Sequence, residues 1–314
     1  MRTDGIRLLA ECGTAMVATA GRLAVPRRAD LRFLAHLGDA GRPKVRATVR
    51  LTALPQSSRY VPAAIIAEGA RRPSRVALGM TTYLVEHPQA RFLVDPAMCE
   101  GVHERVLPGI PQPIRYFVKP ERPITNLPEA LREVGLGPSD VDFCLPTHLH
   151  WDHVSGLLEL PMAVPVRTLA AERDFALAAD GPPHGVVLAP LHDRHFETYE
   201  LDGPPVLTFQ RSHDLFGDGS VVLVDLAGHT PGSVGVLLAL DDGRDILLAG
   251  DAIWHGLQTT LIREKAPFPG NFVDRDRNAA FYAIHRLHAL PSTITVVASH
   301  DREAAAAFLP QPVV

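Results

Sequence analysis

The chain has 314 residues, 46% of them hydrophobic and 21% charged, which suits a globular protein with a substantial core and leaves room for one large domain or two small ones. A formal net charge of -4 without a long basic run argues against a nucleic-acid partner, and no apolar run reaches the ~20 residues of a membrane span. The three cysteines, Cys12, Cys99 and Cys144, are odd in number and far apart, so they point to a reducing, cytoplasmic setting rather than a disulfide framework.

Residues 1–45 form an N-terminal extension in which Leu9, Cys12, Met16 and Ala20 recur at helical spacing, predicting an amphipathic helix. Ala18-Thr19-Ala20 looks like a secretory cleavage site, but Glu11 interrupts the would-be apolar region and Asp4 dilutes its basic start, which argues against a signal. Pro26-Arg27-Arg28-Ala29-Asp30 breaks this helix, and residues 31–36 begin a second. The extension is expected to be a packed decoration; an arm over a pocket or a dimer contact is its functional alternative. Residues 46–54 alternate and are β-branched, as a strand is, whereas 55–70 is ambiguous. Residues 81–87 and 90–95 read as two strands around His87-Pro88-Gln89. Residues 99–123 read as a long proline-rich loop carrying Tyr116 and Phe117, and long ordered loops often line sites; its His103 is expected to be solvated. Residues 126–134 form a helix capped by Asn126, with Glu129 at the third position and Gly135 as its stop.

Residues 140–146 read as a buried strand that runs into Thr147-His148-Leu149-His150-Trp151-Asp152-His153. Residues two apart on an extended segment point the same way, so His148 and His150 aim at one point, with Asp152 and His153 free to aim at a second. Imidazole and carboxylate are ordinary ligands for zinc and similar divalent ions, and the C-terminal end of a strand is where open α/β proteins keep their chemistry. Beyond this stretch, 154–160 begins a helix, 164–166 is a short strand and 168–179 a helix. His184, His192 and His195 follow in a loop region; without a matching partner motif they are expected to be surface polar residues. Asp218-Gly219 is a hairpin turn before the strand 221–226, which delivers His229 to the sharp turn at Pro231 and Gly232. Strands 234–240 and 246–249 meet at Asp242-Gly243, and the second delivers Asp251. A helix at 278–290, a strand at 294–298 that delivers His300, and a closing helix at 302–309 complete the chain. No linker divides residues 46–314, which read as one domain.

The spacing His148-x-His150-x-Asp152-His153, followed in order by Ala227-Gly228-His229-Thr230-Pro231-Gly232-Ser233, Leu248-Ala249-Gly250-Asp251 and Ala298-Ser299-His300-Asp301, resembles the metallo-β-lactamase superfamily from about Val76 onward. The resemblance implies an α/β fold, a four-layer αβ/βα sandwich with metals at its edge. It implies two divalent ions, zinc foremost: His148, His150 and His229 hold one, Asp152, His153 and His300 the other, and Asp251 bridges them. Asp95 falls where the family keeps an acidic residue near the metals, and is assigned to orienting a ligand imidazole; the family's following small residue and glycine are replaced by Pro96-Ala97-Met98. A water held between two such ions loses a proton near neutral pH and serves as nucleophile, which makes Asp152 and Asp251 catalytic as well as metal-holding.

Within the family, the resemblance is nearest to the N-acyl-homoserine lactonases, implying a small carboxylic ester or lactone as substrate. A thioesterase of the hydroxyacylglutathione type shares the site but needs a basic patch, which the sequence near the C-terminus lacks; a mononuclear iron dioxygenase acting on persulfides and a non-catalytic scaffold are the remaining readings. The chain departs from the lactonases at Trp254, followed by His255, where they carry a tyrosine. Trp254, His255, Phe117 and Phe268 are the candidate substrate contacts, with Phe272 nearby; burial of the aromatics in the core is the alternative.

Overall fold

The computed structural model describes residues 2–112 and 114–310, with side chains from Leu8 onward; Met1, Pro113 and residues 311–314 lie outside the described residues. Two sheets face each other. The first holds β1 (Arg50–Pro62), β2 (Arg75–His87), β3 (Ala90–Val94), β4 (Phe143–Cys144), β5 (Val166–Leu169) and β6 (Phe196–Tyr199), in that spatial order. The second holds β7 (Ser212–Asp214), β8 (Val221–Asp225), β9 (Val234–Ala239), β10 (Asp245–Leu248) and β11 (Ile294–Val297), ordered β11-β10-β9-β8-β7.

Alternation along the strands fills three layers of core. Val85, Phe92 and Phe143 of the first sheet meet Val221, Leu223, Val236 and Ile246 of the second. The outward residues Val222, Val224, Leu237 and Leu247 pack under Phe281, Ile284 and Leu287 of helix Arg277–His288. On the other side, Leu84, Leu93 and Val166 pack against Leu127 and Leu131 of helix Leu127–Arg132. This is a four-layer αβ/βα sandwich. Among the described residues, no helix is long and apolar enough to cross a membrane.

Several boundaries differ from expectation. β1 begins at Arg50, and the ambiguous stretch supplies its second half, with an irregularity between Pro55 and Ser57, followed by a short helix at Ala63–Ile66. The strand before the central histidines is only Phe143–Cys144 long, because the following residues already turn toward the site. The supposed loop 99–123 contains short helices at Val102–Arg105 and Ile114–Val118. The N-terminal helix, Arg2–Ala24, buries Leu8, Cys12, Ala15 and Thr19, whereas Leu9, Met16 and Ala20 are exposed. Both stripes fit a period of 3.6; the one carrying the smaller Ala15 and Thr19 faces the domain, where it packs on helix Pro267–Val273. Arg22 of this helix reaches the buried carboxylates of Glu68 (3.2 Å) and Glu264.

Candidate metal centre

The central stretch is pinned by carboxylates from two other elements. Asp95 follows β3 with φ 53°, a left-handed conformation that aspartate tolerates, and this turn puts its carboxylate beneath the histidine loop. Its Oδ1 accepts from Thr147 N at 2.7 Å and its Oδ2 from Thr147 Oγ1 at 3.0 Å. Glu172, fully buried, accepts from Leu149 N, Thr230 Oγ1 and Gly232 N, so one carboxylate ties the His148-to-His153 loop to the His229 loop. The His229 loop is possible because Gly228, at φ 144°, lies so close to helix Arg277–His288 that a Cβ would stand 2.3 Å from Ala280 N.

Four imidazoles share one arrangement. Nδ1 of His148, His153, His229 and His300 faces Thr147 Oγ1 (3.2 Å), Asp95 Oδ2 (2.9 Å), Asp274 Oδ1 (2.9 Å) and Gly79 O (2.8 Å) respectively. Their Nε2 atoms turn inward around Asp251: His153 and His300 lie 3.2 and 3.1 Å from Oδ1, His229 and His148 lie 3.3 and 3.9 Å from Oδ2. His150 is reversed, presenting Nδ1 2.9 Å from His229 Nε2. Nε2 of His148 and of His153 is buried without a hydrogen-bond partner. Asp152 Oδ2 stands 3.8 Å from His300 Nε2.

These atoms fit metal ions. Donor atoms of His148, His150 and His229 lie within 4.8 Å of one another, as do those of Asp152, His153 and His300, and those of His148, His153 and Asp251. Inward Nε2 atoms with outward Nδ1–H groups held by oxygens are the arrangement a metal-binding histidine needs. Burial, reinforced by the neighbouring imidazoles, holds His148 and His150 well below the usual histidine range, so both are neutral and ready to bind. Burial also opposes charge on His153, but Asp95 and Asp251 outweigh it and hold that ring well above the usual range. Asp251 is buried too, yet His300, His153 and His229 keep it ionised.

The site opens into a cavity of about 350 Å³, within the ordinary range for small-molecule pockets, whose wall is mostly apolar. Phe117, Trp254 and Phe268, candidate substrate contacts, line it, and Phe117 meets Phe268 edge-on at 4.8 Å. Trp254 is half-buried, and its Nε1–H donates to Asp251 Oδ2 at 2.6 Å. His255 is not in the cavity wall: the chain turns after Trp254, and His255 Nδ1 lies 3.5 Å from Asp301 Oδ2 and accepts from Leu257 N. His192 and His195 are on the surface, but exposed His184 stands in the cavity wall. His103 is half-buried rather than solvated, with Nε2 buried and unpartnered. Sequence reasoning also missed Asp274, Glu172 and the fully buried Lys265, whose Nζ donates to Asp274 Oδ1 and the Asp251 carbonyl.

A family model described as the metallo-beta-lactamase superfamily matches residues 77–297. The N-acyl homoserine lactonase AttM of Rhizobium radiobacter is 26% identical over 185 residues, 59% of this chain and 67% of its own length. The N-acyl homoserine lactonase AiiB of Agrobacterium fabrum is 28% identical over 253 residues, 74% of this chain and 83% of its own. In fold, the chain is similar to a solved N-acyl homoserine lactone hydrolase with N-hexanoyl-L-homoserine at its metal centre: TM-score 0.64, 19% identity, 86% of this chain and 99% of the other covered.

Proposed function

The chain belongs to the metallo-beta-lactamase superfamily and is a metal-dependent hydrolase, and from that premise we propose that it opens a lactone, or cleaves another small carboxylic ester, that carries an apolar chain. The observation that carries this reading is the convergence of seven candidate ligand side chains, five of which (His150, Asp152, His229, Asp251 and His300) line the floor of an apolar cavity. Relatives named as N-acyl homoserine lactonases support the substrate class.

In this reading His148, His150 and His229 would hold one divalent ion and Asp152, His153 and His300 a second, with Asp251 available to both. Five imidazoles and two carboxylates favour zinc among the common divalent ions. When bound, such ions supply Lewis acidity, acidifying water and polarising the scissile carbonyl. The chain's own residues do the rest. Asp95 and Asp274 orient His153 and His229 from behind. The aromatic wall excludes water and seats the apolar chain. Hydrolysis joins the water oxygen to the acyl carbon, breaks the acyl C–O bond and returns a proton to the departing alkoxide. Asp152, whose side chain is 16% exposed against 3–5% for Asp251 and His300, lines the cavity and in this reading carries that proton.

The test is a hydrolysis screen of lactones, thioesters, lactams and phosphodiesters with metal-reconstituted protein, alongside metal analysis. Turnover of acyl-chain lactones with two ions per chain is expected. One iron per chain with oxygen consumption would instead establish the persulfide dioxygenase chemistry, and preference for a thioester would move the substrate class.

A further inference from the structure

The N-terminal helix Arg2–Ala24 lies outside the matched residues 77–297, yet it packs on the element that forms one wall of the cavity. That element, helix Pro267–Val273, supplies Phe268, Pro269, Phe272 and Val273 to the cavity. It has seven residues, two prolines, one glycine and a non-helical Phe268, so it has no stability of its own and lies where its neighbours put it. The N-terminal helix is one such neighbour. Its buried stripe of Leu8, Cys12, Ala15 and Thr19 faces the domain, and Thr19 Oγ1 accepts from Phe268 N at 2.8 Å. Arg22, one turn further on, is paired with Glu68 and with Glu264, three residues before the wall helix begins. None of the described side chains of the N-terminal helix lines the cavity itself, so any effect on substrate passes through the wall.

We propose that the N-terminal helix is a specificity-determining element: by seating helix Pro267–Val273 through Thr19 and Arg22, it fixes the aromatic wall and thereby the length and bulk of the apolar chain the enzyme accepts. This rests on the reading that the substrate carries an apolar chain. Thr19→Val keeps the shape of the side chain and removes the acceptor for Phe268 N; Arg22→Met removes the latch at the helix end.

The experiment compares wild type with both variants, as full-length metal-reconstituted protein, on homoserine lactones with four-carbon and ten-carbon acyl chains. It also measures binding of butyrate and decanoate by calorimetry. The variants are expected to raise KM for the ten-carbon lactone about tenfold, the equivalent of losing roughly two buried methylenes, with kcat and the four-carbon KM unchanged. A helix that only stabilises the fold would lower Tm and leave that split unmoved, and equal changes for both chains, or none, overturn the proposal. Failure of wild type to hydrolyse either lactone would defeat the lactonase reading separately. In that event a wild-type preference for decanoate that falls in the variants supports the role of the helix, and an unchanged or absent preference overturns it.

Discussion

Lys265 is 1% exposed, and its ammonium has two partners, Asp274 Oδ1 at 2.9 Å and the Asp251 carbonyl at 2.8 Å. The same Asp274 oxygen lies 2.9 Å from His229 Nδ1, so one carboxylate oxygen serves both the lysine and a candidate ligand imidazole. Burial pushes the Asp274 carboxyl up, but Lys265 and His229 outweigh it and bring it to about 2. Breaking a buried pair strands a charge, so Lys265→Met is expected to cost about 3–5 kcal/mol of stability. It should also weaken metal binding about 10–100-fold by releasing His229. Adding Asp274→Leu should return part of the stability but none of the metal affinity; thermal melts and chelator competition read the two separately, and unchanged metal affinity would make Lys265 purely structural. Asp251→Ala is expected to lose at least one ion and nearly all turnover, and two tightly held ions with normal turnover would defeat the bridging role. The proposed function gives Trp254 two roles that substitution can separate. Trp254→Phe keeps an aromatic wall but removes the donor to Asp251 Oδ2, so metal affinity should fall while chain-length preference stays. Trp254→Ala should in addition raise KM for long-chain lactones, as lost uniform binding does.

Trp151 lies between two candidate ligands in sequence but is 3% exposed and packs among Met98, Cys99, Val102 and Ile110. Trp151→Ala is therefore expected to cost about 3–5 kcal/mol of stability and to affect turnover less; a large fall in kcat at unchanged Tm would show the opposite. Legibility at this scale followed hydrophobic pattern. β8 to β11 were readable because runs such as Val221-Val222-Leu223-Val224 are apolar on both faces, as strands between two layers must be. β6, Phe-Glu-Thr-Tyr, and β7, Ser-His-Asp, lie at sheet edges and exist through their pairing, without an apolar signal. Helix Pro267–Val273 was hidden by its prolines and glycine. The ligand candidates were legible because each sits in a short motif at a strand end. Their supports were not: Asp274 opens Asp274-Arg275-Asp276-Arg277, which reads as a solvated run, and only the fold brings it to His229. His255 lies outside the cavity wall for the converse reason, since adjacency to Trp254 in sequence does not survive the turn between them.

Across the whole molecule, the two sheets bring together imidazoles whose proton affinities are driven in opposite directions. Burial first, then neighbouring imidazoles, pull His148 and His150 well below the usual range. Burial pulls on His153 and His300 as well, but Asp251, joined by Asp95 at His153 and by Asp152 at His300, raises both. In the metal-free protein the first pair costs stability as pH falls below about 6.5, because the unfolded chain takes up protons there that the native one refuses. The second pair contributes its stability in full below about 6.5 and loses it as pH rises toward the raised native values. Both effects place the histidine contribution to metal-free stability at a maximum near pH 6.5. Metal ligation requires neutral imidazoles, so ions entering this site displace protons from His153 and His300 and none from His148 and His150. Affinity at the Asp152, His153 and His300 group should therefore rise with pH above about 6.5, with up to two protons released. The His148, His150 and His229 group should respond less, because two of its rings are already neutral. Chelator competition and Tm with and without zinc, measured from about pH 5.5 to 8.5 across the imidazole range, give both quantities. A flat pH dependence at both positions, or a steeper one at the His148, His150 and His229 group, would show that the carboxylates around His153 and His300 do not set the order in which this site fills.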